Sequence, residues 1–172
     1  MPMPKRLMPA LAAALLFGAS SVAVADPTFS AELSGANNVP DPITTPASGR
    51  LELTVSPNGQ SVSYLLTVKD LDNVAAGDLH LGPPGANGPL VVKLFPGQGA
   101  APKKGTFSGV LAQGTFDASD LIGPMTGAKL GELLDQIREG NAYVNVHTSD
   151  GQDPPNSGPG DYRLGEIRGQ IK

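Results

Sequence analysis

The stretch RLELTVSPNGQSVSYLLTV, residues 50–68, sets the fold class. Two strand-like runs, 50–55 and 61–68, flank SPNGQ, and Asn58-Gly59 tolerates the positive φ that a tight hairpin turn requires. A chain that opens this way is built from short strands, and the flanking segments continue the pattern. TFSAELSG (28–35) sets Phe29, Ala31 and Leu33 against polar neighbours, the two-residue period of a half-buried strand. NNVPDPITTPASG (37–49) holds three prolines and a glycine, so it reads as an ordered loop. Beyond the hairpin, GDLHLG (77–82) and PLVVKLF (89–95) flank the turn PPGANG, and GTFSGVL (105–111) is a further strand.

One segment departs from the two-residue period. In TGAKLGELLDQIREG (126–140), Leu130, Leu133, Leu134 and Ile137 fall at i, i+3, i+4 and i+7, the spacing of one helix face. Thr126 is placed to cap its start and Gly140 to end it, and an apolar stripe of this kind is more often core packing than a partner groove. NAYVNVHT (141–148) then returns to strand alternation, with Ala142, Val144 and Val146 against Asn141, Tyr143, Asn145 and His147. After the loop SDGQDPPNSGPGD (149–161), the segment YRLGEIRGQIK (162–172) sets Gly165, Ile167, Gly169 and Ile171 on one face and Glu166, Arg168 and Gln170 on the other. About seven short strands with a single helical insertion predict an all-β fold, an antiparallel sandwich or barrel.

Composition agrees. The chain has 22 Gly and 17 Pro among 172 residues and only 16% charged residues, which suits many short elements joined by tight turns. The first 25 residues read as an export signal. Lys5 and Arg6 precede the apolar run 7–22, and Ala23-Val24-Ala25 offers the small residues that signal peptidase reads, with cleavage expected before Asp26. The predicted organisation is therefore a signal at 1–25 and one domain at 26–172, periplasmic or secreted, with no transmembrane segment. Absence of cysteine excludes a disulfide-stapled domain and a lipid-anchored lipoprotein. Loss of Lys5 and Arg6 with the signal moves the formal charge from -4 to -6 over the 147 residues that follow. That balance argues against nucleic acid, which calls for a basic patch, and is compatible with binding cations.

The chain has two histidines. In a regular strand, Asp78 and His80 point to one side of GDLHLG and Leu79 and Leu81 to the other. His147 shares its side with Tyr143 and Asn145, and Glu166 shares one with Arg168. If the three strands are neighbours, they gather His80, His147, Asp78 and Glu166, a set of imidazoles and carboxylates that suits copper or zinc. The same residues fit a second reading, in which the histidines bond a carbonyl or a carboxylate and organise the polar face. Glu166 and Arg168 read as a pair bracing neighbouring strands or the loop NNVP. In the loop 149–161, Asp150, Asp153, Asp161 and Asn156 are hard oxygen ligands for calcium, although their spacing matches no EF-hand and such loops are usually turns. No cysteine nucleophile, Gly-X-Ser-X-Gly elbow or His-Glu-X-X-His helix is present, so the reading is a binding module and not an enzyme.

FSAELSGANNVP, GRLELTV, LHLGPPGANGPLVVKL, GELLDQIREGNAYVNVHT and GEIRGQIK, in this order and spacing, resemble the CHRD family, whose domain repeats in chordin and also occurs alone in exported bacterial proteins. The resemblance spans about 29 to 171 and implies an immunoglobulin-like all-β domain with Greek-key connections outside the cytoplasm. It implies little about activity. Two positions depart from the family pattern: Asp78 stands where a His-X-His triplet usually has its first histidine, and Asn38 stands where Glu usually precedes Val-Pro. A His-X-His strand is similar to the copper ligands of copper/zinc superoxide dismutases, also β-sandwiches, an analogy of motif since fold does not fix function. Two functions follow as expectations. One is an exported module holding copper or zinc at the His80/His147 face. The other is an envelope or matrix protein that binds a protein or glycan through the loops 36–48, 83–88 and 149–161, with structural histidines.

Overall fold

The computed structural model describes residues 28–97 and 101–172; the stretch read as an export signal lies outside them. Eight strands and one α-helix follow one another as β1 (Thr28–Ser34), β2 (Ser48–Val55), β3 (Ser61–Asp72), β4 (Val74–Leu81), β5 (Leu90–Phe95), β6 (Thr106–Asp117), α1 (Leu130–Arg138), β7 (Ala142–Thr148) and β8 (Ile167–Gln170). The 50–68 hairpin forms as its residues dictate. Val55 pairs with Val62, Gly59 takes φ 67°, and Asn58 Oδ1 accepts the Gln60 N–H at 3.1 Å. Leu51, Leu53 and Val55 point into the core, and the residues between them face outward.

The strands form one antiparallel sheet in the order β5-β4-β7-β8-β1-β2-β3-β6. Its ends approach each other: Tyr64 Oη on β3 donates to Leu94 O on β5 at 3.2 Å, and the Ile122 N–H donates to Val91 O at 2.9 Å. The sheet thus curls into a nearly closed barrel around Leu51, Leu53, Leu66, Leu71, Leu79 and Val144. β3 and β4 are consecutive in sequence but distant in the sheet order, and Asn73 alone makes the corner between them. It takes φ 49°, a conformation asparagine tolerates better than most residues. Its N–H donates to Gly105 O, its Oδ1 accepts from Gly105 N, and its carbonyl accepts from Ser149 N.

The helix packs Leu130, Leu133, Leu134 and Ile137 into the core, as their spacing predicts. Its start differs from expectation. Thr126 donates its hydroxyl to Gly123 O and closes a 3-10 turn, Gly127 turns the chain at φ 79°, and the helix begins at Leu130. The first free N–H groups are met from inside the helix, where Glu132 Oε1 accepts from Lys129 N at 3.0 Å. The last strand is shorter than its alternation predicts, because residues 162–166 form turns.

Gly169 lies where β8 crosses β1. A Cβ there would sit 2.6 Å from Glu32 O and 3.1 Å from the Ala31 Cβ, so the two strands could not keep their spacing. Gly169→Ala is expected to cost about 2 kcal/mol by forcing them apart. Urea denaturation, with an unchanged midpoint as the contrary result, tests this close approach.

Candidate metal centre

Three adjacent strands build the site. Antiparallel pairing sets Asp78 opposite Asn145 and Asn145 opposite Arg168, while His80 lies opposite Tyr143 and Tyr143 opposite Gln170. Directly opposed residues share a face, so these polar side chains form a stripe on the outside of the barrel. Leu79, Val144, Val146 and Ile167 fill the inside. His147, opposite Ala76, ends the stripe. β4 and β7 are neighbours, the condition under which alternation brings Asp78, His80 and His147 to one face.

Both imidazoles are oriented by backbone carbonyls. His80 Nδ1 lies 3.1 Å from Gly88 O, and His147 Nδ1 lies 2.9 Å from Arg163 O. A carbonyl only accepts, so each Nδ1 carries a proton, and in the neutral ring the lone pair is then on Nε2. His80 Nε2 is buried and has no hydrogen-bond partner among the described residues. His147 Nε2 faces Asp78 Oδ2 at 3.6 Å, too long for a hydrogen bond. One ligand atom from each of Asp78, His80 and His147 lies within 4.8 Å of the others. Two ligands at 2.0–2.1 Å from a tetrahedral ion stand about 3.4 Å apart, so modest side-chain rotation closes the set. Two imidazole nitrogens with one carboxylate oxygen suit copper or zinc.

Burial sets the charge state of this group. Removal from water raises the Asp78 carboxyl to about 6, against the pull of His147 and Lys93 toward lower values. Burial also lowers the His80 imidazole, opposed by its bond to Gly88 and reinforced by His147 and Arg168. His80 is walled in by Tyr143, whose ring stacks on the imidazole with centroids 5.0 Å apart and 12° between planes. The Tyr143 hydroxyl accepts the Gly88 N–H at 3.0 Å, so the peptide that orients His80 is itself held. Arg168 lies 3.6 Å over the Tyr143 ring and bonds Asn87 Oδ1 and Ala86 O, tying the turn 83–88 to the sheet. Sequence reading missed Gly88 and the Arg163 carbonyl, because any residue type can present a backbone acceptor.

Glu166 is not part of this group. It precedes β8, Gly165 beside it takes φ 119°, and the alternation that placed it with His147 does not reach it. Its carboxylate accepts from Thr45 Oγ1 at 2.5 Å, Thr148 Oγ1 at 2.8 Å and Gly160 N at 2.7 Å, and the residue is 1% exposed. Nor does it pair with Arg168. The expected bracing of the loop NNVP runs through main-chain carbonyls instead: Asn38 Nδ2 donates to Glu166 O, and Asn37 Nδ2 donates to Arg168 O. Asn145 Nδ2 holds Leu164 O. In the loop 149–161, Asp150 accepts from Gln152 N, Asp161 from Ser157 N and Oγ, and Asn156 from Arg163 N, while Asp153 lies 3.5 Å from Arg163. These oxygens organise their own loop as turn caps.

Two outcomes follow. Glu166→Ala leaves three donors without their acceptor and is expected to destabilise the protein by about 3 kcal/mol or more in chemical denaturation. A carboxyl whose folded pKa is raised favours folding below its unfolded value near 3.8, and that contribution is lost as pH rises through about 6. Asp78→Asn is therefore expected to stabilise metal-free protein above that window by about 1–2 kcal/mol, less than the full shift implies because some solvent contact persists. The gain should fade toward pH 4; denaturation curves for both proteins across this range, showing no pH-dependent difference, would contradict it.

Among the described residues no helix is long and apolar enough to cross a membrane. No curated protein matches the chain significantly. The family model of the CHRD domain matches residues 29–155, which take in β2 through β7 and all of β1 but Thr28, with both histidines and Asp78. The chain is thus a member of the CHRD domain family.

Proposed function

We propose that this chain is an exported binding module, not an enzyme, that holds a divalent transition-metal ion through His80 Nε2, His147 Nε2 and the Asp78 carboxylate. The observation that carries the reading is the buried, partnerless Nε2 of His80, aimed at the same small volume as two other ligand atoms. Four buried side-chain atoms lack partners among the described residues, and His80 Nε2 is the one of them that converges with a carboxylate and a second imidazole, which supports ligation over bracing. Carbonyl bonds at both Nδ1 atoms supply the outer orientation typical of ligating histidines. Copper(II) is favoured over zinc by the general affinity order for nitrogen and oxygen sites. Export rests on residues 1–25.

A second reading has one observation in its favour. The loops 36–48 and 83–88 meet where Asn87 Nδ2 donates to Val39 O at 2.7 Å, and Thr45 and Gly160 both bond Glu166. The three loops thereby adjoin one another, as a rim for a protein or glycan would require.

Calorimetry on dialysed protein is expected to give one Cu²⁺ per chain. His80→Ala and His147→Ala should each weaken binding by about 100-fold, whereas Glu166→Gln should leave it unchanged. Absence of stoichiometric uptake would overturn the metal reading and leave the loop rim as the working function.

A further inference from the structure

We infer that the metal site keeps one coordination position open to exchangeable small anions, entered from the Ala75–Ala76 side of β4. The inference rests on the metal reading above and adds what the bound ion can do. Three protein atoms converge on the site, and among the described residues no other histidine or acidic side chain joins them. A copper(II) or zinc ion takes at least four ligands, so three such protein atoms leave a position that a ligand from outside the chain can take.

The surroundings decide from which side it comes. Toward His80 the site is shut, by the stacked Tyr143 ring and by the turn 83–88 that Arg168 and Tyr143 hold down. Toward His147 it is open. A cavity of about 370 Å³ lies there, bordered by Ala75, Ala76, Asp78, His147, Ser149 and Arg163. Two features of β4 make this opening. The residue opposite His147 is Ala76, which has no side chain beyond Cβ to cover the imidazole. A register shift between Val74 and Ala76 also interrupts the regular alternation, and both alanines come to line the cavity. A larger side chain at position 76 would lie between His147 and solvent. A protein that only stored its metal would gain by closing this side as it closes the other.

The ligand class follows from the opening and the ion. The cavity at the opening is about 370 Å³, room for a small anion, and the bound ion carries more positive charge than the single Asp78 carboxylate offsets. Small monodentate anions fit both conditions, and water holds the position in their absence.

Azide is the probe. Protein is first titrated with Cu²⁺ in a calorimeter, and the copper-loaded protein is then titrated with sodium azide while the azide-to-copper charge-transfer absorption and the copper EPR spectrum are followed. Saturable appearance of the band with a changed EPR spectrum is the expected result. In Ala76→Leu, copper affinity should be retained and azide should bind about tenfold more weakly or worse. Ala75→Leu serves the same purpose if the first variant folds poorly by circular dichroism. Copper uptake without any azide response overturns this inference and leaves the metal reading intact. Failure to take up copper overturns the metal reading itself, and this inference with it. Equal azide affinity in wild type and a folded position-76 or position-75 variant overturns the assigned route.

Discussion

The register of β4 against β7 is the constraint on which the rest of the molecule depends. Opposed residues share a face, so setting Leu79 against Val144 in the core sets His80 against Tyr143 and Asp78 against Asn145 outside. A slip of one residue would exchange the two sets. Each apolar side chain moved into water would lose roughly 1.5–3 kcal/mol, and each polar group moved into the core without a partner would cost about 1–3 kcal/mol. The core therefore enforces the polar stripe, and the ligand cluster needs no separate folding device. β8 extends the arrangement by one strand, with Ile167 and Gly169 inside and Arg168 and Gln170 outside.

Much of this was legible because a two-residue period is a local property. The alternations in GDLHLG and NAYVNVHT give the facing of Asp78, His80 and His147 without knowledge of their neighbours, and the Leu130-to-Ile137 spacing gives the buried face of the helix. Structure and alternation part where a local rule reaches past the end of its element. Alternation places Glu166 on the polar face of a segment whose strand begins one residue later, after a glycine at positive φ. Thr126 has the right chemistry for a cap, but Gly127 turns the chain and Glu132 supplies the oxygen from within the helix. Strand order has no local signature at all. β3 and β4 abut in sequence, yet the Asn73 corner carries them to distant places in the sheet, and the meeting of β4 with β7 is a pairing across more than sixty residues.

The turn PPGANG shows how a segment with no chemically distinctive side chain conditions a site. Gly88 offers its carbonyl to His80 and its N–H to Tyr143, while Ala86 and Asn87 receive Arg168. A Cβ on Gly88 would collide with the Leu81 carbonyl, which explains glycine there. The stack of Arg168, Tyr143 and His80 is thus fixed from above by the turn and from below by the sheet, and the imidazole has little freedom to turn its Nε2 elsewhere. That rigidity makes a missing partner informative, since a mobile side chain would rotate to find one.

The sheet carries an internal comparison that bears on which reading of the stripe is preferable. Glu166 and Asp78 are both buried carboxylates on neighbouring parts of the same fold. Glu166 has three donors at 2.5–2.8 Å and knits together the loops around it. It is what a structural brace looks like here. Asp78 meets His147 only at 3.6 Å, and the other imidazole in reach keeps a bare, buried nitrogen. Asp78 and His80 are not satisfied in this way. Leaving these groups close together, oriented from behind and short of partners costs stability, and an ion bound among them would recover that cost. The contrast between the two carboxylates favours a ligand site over a brace more strongly than the residue types alone can.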